Sequence, residues 1–172
     1  MRIGLYGGSF DPVHRGHVGL LIELQHRLNL DKVLIIPAYI SPFKLDRPPI
    51  GTSVDRIAML KLAFEGVDNI QILTFETDRK EISYTIDTIR KIREKFANDE
   101  LYLLLSEEIR PSFHLWKNFE EIKKLVKIEF GNVEFPICST VIREKLKKGE
   151  VCKEYLLPKV LDYIEKHHLY SS

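Results

Sequence analysis

Hydrophobic positions along the chain follow two alternating patterns. Short, continuously apolar runs, such as the one at 32–37, are typical of strands that are buried on both faces of a sheet. Longer stretches with apolar residues three or four positions apart, such as the one at 57–64, predict amphipathic helices. The predicted strands are 3–6, 32–37, 70–73, 101–105 and 126–130, and the predicted helices are 18–28, 53–64, 83–96, 116–125, 139–148 and 158–167.

The alternation of strands with helices predicts an α/β fold, in which a mainly parallel sheet of about five strands carries helices on both faces. Such a sheet is Rossmann-like and doubly wound, and a C-terminal helical segment follows it here. A chain of 172 residues suits a single domain, which we place at 1–172. Ligands bind beyond the carboxyl ends of the strands in these sheets, so the turns at 7–17, 83–88, 106–116 and 137–143 are expected to converge.

The turn after the first predicted strand combines glycine, hydroxyl and histidine residues. Its sequence is Gly7-Gly8-Ser9-Phe10-Asp11-Pro12-Val13-His14-Arg15-Gly16-His17. Two adjacent glycines let a ligand approach the backbone, and the helix N-terminus that follows favours an anion. His14 and His17 can both donate hydrogen bonds to phosphate oxygens, and a protonated histidine would also offset their charge. The turn therefore predicts a site for the phosphates of a nucleotide.

Composition and charge exclude two classes of partner. The formal net charge is +1, so the chain lacks the basic footprint of a nucleic-acid-binding protein. No apolar run approaches the roughly 18 residues that span a bilayer, and no secretory signal precedes the first strand. Cys138 and Cys152 lack metal-ligand spacing and are expected to be free, buried thiols. We therefore expect a cytoplasmic protein without nucleic-acid or membrane partners; the oligomeric state stays open, with a homodimer as one option.

The turn at 7–17 resembles the (T/H)-x-G-H signature of the nucleotidylyltransferase superfamily, with His14 at the first position and His17 at the last. The longer string G-G-S-F-D-P-x-H-x-G-H is similar to that of the bacterial nicotinate-nucleotide adenylyltransferases. This resemblance implies that both histidines are catalytic and that a set of further residues binds ATP and its phosphates. That set is Gly7, Gly8, Ser9, Phe10, Lys44, Glu108, Ser139, Thr140 and Arg143.

Two further segments point to the acceptor substrate. Residues 83–88 are similar to the S-Y-T-x-D-T segment of the nicotinate-mononucleotide branch, which implies that Tyr84 and Thr85 bind the mononucleotide. In that branch the threonine that corresponds to Thr85 and nearby backbone groups contact the pyridine carboxyl group. A helix N-terminus at this place favours a carboxylate over a neutral amide. Trp116 resembles the tryptophan of the family's W-x-x-(W/Y/F) stretch, which stacks on the pyridine ring.

The segment 137–143 resembles the family's I-S-S-T-x-I-R, with Cys138 in place of the first serine. Ser139 and Thr140 are expected to cap a helix and reach phosphate oxygens, and Arg143 can make two parallel hydrogen bonds to a polyphosphate. The loop after the second predicted strand resembles the family's P-x-x-P-H-K loop. Lys44 keeps the positive charge of that loop, whereas Phe43 stands where the family has a histidine.

Two departures concern the nucleotide side of the site. The fourth strand ends in Ser106-Glu107-Glu108 where the family has G-A-D, so Glu108 keeps a carboxylate while a serine replaces a glycine. The segment before Pro136 is also shorter than in the family. Nucleotide contacts on that side are therefore expected to differ.

The resemblance as a whole implies an enzyme that transfers AMP from ATP to nicotinate mononucleotide, giving deamido-NAD and pyrophosphate in NAD biosynthesis. Its expected partners are ATP and a pyridine mononucleotide, with Mg²⁺ as the cofactor. Two alternatives stay open. One is a different acceptor, either nicotinamide mononucleotide or phosphopantetheine, and the other is a nucleotide-binding module without catalysis.

Overall fold

The computed structural model describes residues 1–133 and 138–171. Its centre is one sheet of five strands, in which every neighbouring pair is parallel. The predicted Rossmann-like sheet is therefore confirmed. In chain order the strands are β1 (Arg2–Gly8), β2 (Lys32–Pro37), β3 (Ile70–Ile72), β4 (Glu100–Ser106) and β5 (Lys127–Gly131), and their spatial order is β3-β2-β1-β4-β5.

Helices follow the strands and complete the two outer layers. Two 3₁₀ helices, Pro42–Lys44 and Glu107–Leu115, lie after β2 and β4 respectively. The α-helices are α1 (Arg15–Arg27), α2 (Ser53–Ala63), α3 (Phe75–Arg79), α4 (Thr85–Lys95), α5 (Phe119–Leu125), α6 (Ser139–Lys147) and α7 (Pro158–Lys166). In the described part of the chain, no helix is both long enough and apolar enough to cross a bilayer.

Side chains of each central strand alternate between two hydrophobic cores, because successive residues of a strand point to opposite faces. In β4, Leu103 packs with the core that includes α4, whereas Leu104 packs with the core that includes α1, α2 and α7. Both leucines are fully buried, at 3% and 0% exposure. This alternation explains why the strands read as continuously apolar runs, and it confirms helices on both faces.

One predicted helix begins later than expected. The prediction was 116–125, but α5 begins at Phe119 and Trp116 lies outside it. Asn118 has a left-handed φ of 56°, which interrupts helical geometry just before α5. The preceding segment is the 3₁₀ helix that contains Pro111. Trp116 is thereby held in extended backbone between two helices, which leaves its ring free to face a cavity.

The strand order creates a natural binding crevice between β1 and β4. From β1 the chain passes outward through β2 to β3, and then returns to the other side of β1 for β4 and β5. The connections on either side of this switch point diverge, so a crevice opens beyond the carboxyl ends of the two strands. Gly8 ends β1 and Ser106 ends β4, and both therefore face the same space.

Candidate active site

Two adjoining cavities occupy the crevice. The larger measures about 490 Å³ and the smaller about 320 Å³. Tyr84, Thr85 and Trp116, which are predicted to bind the mononucleotide, all line the smaller cavity. The larger cavity is lined by all the predicted catalytic and ATP-binding residues: Gly7, Gly8, Ser9, Phe10, His14, His17, Lys44, Glu108, Ser139, Thr140 and Arg143. Gly7, Gly8, Ser9 and Lys44 line both cavities.

The glycine-rich turn forms the wall that the two cavities share. The large side chain of this turn, Phe10, packs beneath the backbone. A Cβ atom on Gly8 would lie 2.9 Å from the ring of Phe10, so only glycine leaves room for that ring. Phe10 is buried, at 2% exposure, with a left-handed φ of 49°. Its ring packs edge-on against His17, with 5.1 Å between ring centres. Phe10 thus supports the site from below, and a ligand would meet its backbone.

His14 and His17 form a reciprocal cap at the start of α1. Nδ1 of His14 accepts a hydrogen bond from the Gly16 amide at 3.1 Å, and Nδ1 of His17 accepts one from the His14 amide at 3.2 Å. A neutral imidazole that accepts at Nδ1 carries its proton on Nε2. The rings lie 3.7 Å apart. The helix cap therefore fixes both histidines in the tautomer that donates from Nε2.

Both imidazoles are neutral at physiological pH in the free protein. Burial lowers the pKa of His14 from 6.5 to about 4. Burial also holds the pKa of His17 well below 6.5. Electrostatic repulsion by Lys44, and by His14 when it is protonated, lowers this pKa further. The sequence suggested charge neutralisation by protonated histidines. The geometry instead supports two neutral hydrogen-bond donors until an anion enters.

This environment predicts a loss of stability in mild acid. In the unfolded chain His14 binds a proton near pH 6.5, whereas in the folded chain it stays neutral down to about pH 4. The unfolded state thus binds more protons in this window, so stability falls as pH drops from 6.5 to 4, by about 3 kcal/mol for this group. Thermal denaturation across that range measures the slope. His14→Asn keeps an N-cap acceptor without a titrating ring, and an equally steep slope in that variant would contradict the assignment.

Two cationic side chains stand on the wall of the larger cavity. Nζ of Lys44 donates to the hydroxyl of Ser9 at 3.2 Å. Although the Lys44 side chain as a whole is exposed, partial burial of its ammonium group and the charge of Arg143 lower its pKa. Arg143 donates to the main-chain oxygen of Asp11 at 2.7 Å and to the hydroxyl of Thr140 at 3.3 Å. Although the net charge of the whole chain is only +1, two positive side chains therefore lie together at this cavity.

The hydroxyl residues of α6 do not cap the helix, and that expectation was wrong. The N-cap is Cys138, and its side chain makes no capping hydrogen bond. Ser139 is the first helical residue, and its hydroxyl donates to the Pro12 oxygen at 2.9 Å, which ties α6 to the glycine-rich turn. Cys138 is exposed rather than buried as expected, whereas Cys152 is buried. Residues 134–137 lie outside the described part of the chain. The predictions for Ile137 and for the shortened segment before Pro136 therefore fall wholly or partly outside it.

The two glutamates after β4 take different positions. Glu107 accepts a hydrogen bond from Nη2 of Arg110 at 2.9 Å and is occupied by that surface ion pair. Glu108 is exposed and lines the larger cavity, as the resemblance implied. Among the described residues, no three His, Cys, Asp or Glu side chains are grouped as metal ligands. Two carboxylates line this cavity among the described residues, and Asp11 is buried whereas Glu108 is exposed.

Aromatic side chains shape the smaller cavity. Trp116 is half-buried, and the ring of Phe113 supports it edge-on at 5.1 Å between ring centres. Phe43, in the 3₁₀ helix after β2, stands 6.3 Å from Trp116 and is 55% exposed. The sequence suggested only that a family histidine is lost at Phe43. The structure shows that the replacement adds a second aromatic wall to this cavity.

The N-terminus of α4 opens into the same cavity. Tyr84 is the N-cap, but no side chain caps this helix, so its first amide groups are left for another partner. Nζ of Lys117 lies 4.1 Å from the centre of the Tyr84 ring, at the cavity wall. Amide donors, a helix N-terminus and a lysine together suit a carboxylate.

Comparison with known proteins identifies the family. The model of the cytidylyltransferase-like family matches residues 5–163. A protein of Borrelia hermsii named "Probable nicotinate-nucleotide adenylyltransferase" is 38% identical over 99% of this chain and 98% of its own length. The chain belongs to the nicotinate-nucleotide adenylyltransferase family. A relative of the same name from Aquifex aeolicus is 43% identical over 74% of each chain.

Solved structures share the fold of this nicotinate-nucleotide adenylyltransferase family member at lower identity. The nicotinic acid mononucleotide adenylyltransferase of Plasmodium falciparum, complexed with NaAD, superposes with a TM-score of 0.82 at 21% identity. It covers 98% of this chain and 97% of its own. A nicotinate-nucleotide adenylyltransferase structure from Vibrio parahaemolyticus gives the same TM-score and identity over 98% and 94% of the two chains. These likenesses independently support the architecture.

Behind the cavities lies a buried polar network that the sequence analysis missed in this family member. Arg56 is 2% exposed, and its guanidinium donates to the main-chain oxygens of Ser9 and Ala38, both at 2.7 Å. It also donates to the Gly51 oxygen at 3.1 Å. Arg56 thereby fastens the glycine-rich turn to the end of β2. A signal was present, because Arg56 falls on the same helical face as the buried Leu60.

Glu76 is a second buried polar residue that the sequence analysis missed. It lies in α3, lines the smaller cavity and accepts a hydrogen bond from the hydroxyl of Thr88. Burial raises the pKa of its carboxyl group, against the opposing hydrogen bonds of Thr88 and Ser83. The five-residue helix that carries Glu76 is too short to give a periodic signal, so no pattern marked it.

Proposed function

We propose that this protein transfers AMP from ATP to nicotinate mononucleotide and releases pyrophosphate. One observation carries the proposal: a cationic cavity with two Nε2 donors and an aromatic cavity with an uncapped helix N-terminus share the wall Gly7–Ser9. ATP in the first cavity and the mononucleotide in the second would bring their phosphates together at this wall. The relatives' names agree with this reaction.

The reaction needs no protein nucleophile. An oxygen of the mononucleotide 5′-phosphate attacks the α-phosphorus of ATP, and the bond from that phosphorus to the bridging oxygen of pyrophosphate breaks. Positioning and charge stabilisation supply the catalysis. In our assignment His14 and His17 donate from Nε2 to the phosphates, while Lys44 and Arg143 hold the polyphosphate. Ser139 ties α6 to the glycine-rich turn, and Thr140 accepts a hydrogen bond from Arg143.

Acceptor recognition falls to the smaller cavity. Trp116 stacks on the pyridine ring, with Phe43 on the opposite side of the mouth. The free amides at Thr85, beside Tyr84, receive the nicotinate carboxylate. This arrangement favours the acid over its amide, because a neutral carboxamide gains less at a helix N-terminus.

We also propose Mg²⁺ as the cofactor, arriving with ATP. Mg²⁺ keeps several waters and is commonly held by substrate phosphates with one or two carboxylates, which suits a cavity wall whose free carboxylate is Glu108. Glu108 would hold the ion together with the polyphosphate, and the ion would supply positive charge that offsets the charge developing on pyrophosphate. The single domain at 1–172 and the cytoplasmic location stay predictions, and the oligomeric state stays open, with a homodimer as one option.

The test is pyrophosphate release from ATP and Mg²⁺ with nicotinate mononucleotide, nicotinamide mononucleotide or phosphopantetheine offered in turn. We expect rapid release with the acid and release about tenfold slower with its amide, since a charge at a helix terminus contributes about 1–2 kcal/mol in a partly buried site. Faster release with phosphopantetheine would reassign the acceptor. Tight ATP binding without release with any acceptor would favour the non-catalytic module.

A further inference from the structure

The carboxylate of Asp11 lies directly behind the larger cavity and is held by three neutral donors. It is 3% exposed. Oδ1 accepts hydrogen bonds from the Gly51 amide at 2.8 Å and from the Tyr170 hydroxyl at 2.7 Å. Oδ2 accepts one from the Ile50 amide at 2.8 Å. These donors come from the loop before α2 and from the segment after α7, so the carboxylate is well bonded without any cation.

Arg143 lies beside this carboxylate but is not tightly paired with it. Its Nη1 is 3.6 Å from Oδ2 of Asp11, which is longer than a charge-assisted hydrogen bond, and is 2.7 Å from the main-chain oxygen of the same residue. The guanidinium is thus anchored through a neutral oxygen. Because the carboxylate does not claim its charge, Arg143 stays at the wall of the larger cavity.

Tyr170 is built into this arrangement and is not a chance contact. Its side chain is buried, at 8% exposure. A Cβ on residue 51 would lie 2.7 Å from the Tyr170 oxygen and 2.8 Å from Oδ1 of Asp11, so Gly51 is needed for the approach. Burial and the charge of Asp11 raise the pKa of Tyr170, so the hydroxyl remains a donor at any working pH.

We propose that Tyr170 is a positioning residue for ATP, which holds Asp11 away from Arg143 and so leaves the guanidinium free to bind polyphosphate. The inference rests on the proposed function, in which Arg143 binds ATP. Without the tyrosine hydroxyl, the carboxylate loses a donor at Oδ1. The Arg143 guanidinium, 3.6 Å from Oδ2, is placed to compensate for that loss by moving closer to the carboxylate. A closer ion pair with Asp11 would draw Arg143 out of the cavity wall and neutralise it.

Tyr170→Phe tests the proposal with little change in volume. We expect the Kd for MgATP, measured by calorimetry, and the KM for ATP to rise about tenfold, as expected for one charge-assisted contact, while kcat and the acceptor KM change less than about twofold. The matched control is Tyr163→Phe, because the Tyr163 hydroxyl also donates to a carboxylate, Asp55 at 2.9 Å, in the same C-terminal region. Its ATP affinity should match the wild type.

A double-mutant cycle separates positioning from a general structural role. In an Arg143→Ala background, Tyr170→Phe should cause no further loss of ATP affinity, because its route of action is gone. Equal losses in both backgrounds, or unchanged ATP affinity in Tyr170→Phe, would overturn the proposal. If Tyr170→Phe does not fold, Ile50→Pro removes another Asp11 donor and should raise the Kd in the same way. A wild-type protein that does not bind ATP would instead overturn the proposed function.

Discussion

His17→Ala is expected to reduce the rate of AMP transfer by at least 10² to 10³, the usual cost of removing one preorganised donor at a reacting centre. The reason is the loss of an Nε2–H group that its own helix cap orients toward the phosphate cavity. Steady-state pyrophosphate release measures the effect. Circular dichroism should show an intact fold, since the lost cap contributes only about 1 kcal/mol.

Two variants control for the capping role of His17. Glutamine is a favoured capping-box residue at this helix position, so His17→Gln should restore the stability but not the rate. His26→Ala removes an exposed histidine from the last turn of α1 and should leave the rate unchanged. Near wild-type turnover in His17→Ala would refute the assigned role of His17.

Asp11→Ala is expected to produce the largest loss of stability of any single change at the site. It removes the acceptor of two buried donors, the Gly51 amide and the Tyr170 hydroxyl, and of the partly buried Ile50 amide. It also removes a negative charge that favours the buried Arg56. A buried donor left without an acceptor costs about 1–3 kcal/mol, so two such donors cost about 2–6 kcal/mol, which for a domain of this size lowers Tm by roughly 10 °C. Differential scanning calorimetry measures the shift.

The control for this variant is Asp46→Ala. Asp46 is a surface aspartate whose carboxylate lies 3.6 Å from Nε of Arg47, with a side chain that is 75% exposed. Such a pair contributes little, so its Tm should change by less than about 2 °C. Asp11→Asn, which keeps one acceptor oxygen, should fall between the two. A Tm for Asp11→Ala within the range of the Asp46 control would show that the network does not stabilise the fold.

The centre of the sheet could be predicted from the sequence because β1, β2 and β4 are buried on both faces, which gives continuously apolar runs. Short or irregular elements could not. The 3₁₀ helix before Trp116 has no apolar periodicity that separates it from α5, and the left-handed Asn118 that divides them has no clear marker. Sequence periodicity can be recognised only over segments of two or more helical turns. The conformation of these shorter segments is determined by tertiary contacts.

The site was predictable where one motif carries the chemistry, and not where distant residues complete it. Local strings predicted a site at the glycine-rich turn and Arg143, and both line the larger cavity. Asp11 lies within that turn, yet its role depends on Tyr170, which is 159 positions away along the chain. No local pattern links the two, because the hydrogen bond exists only once α7 has packed against α2.

The position of Trp116 has a practical consequence. The chain contains one tryptophan, and it stands in the wall of the acceptor cavity with its ring between Phe43 and Phe113. Tryptophan emission, excited selectively over the tyrosines, therefore originates at that cavity alone. The enzyme carries its own optical reporter, which separates acceptor entry from events in the ATP cavity without any label.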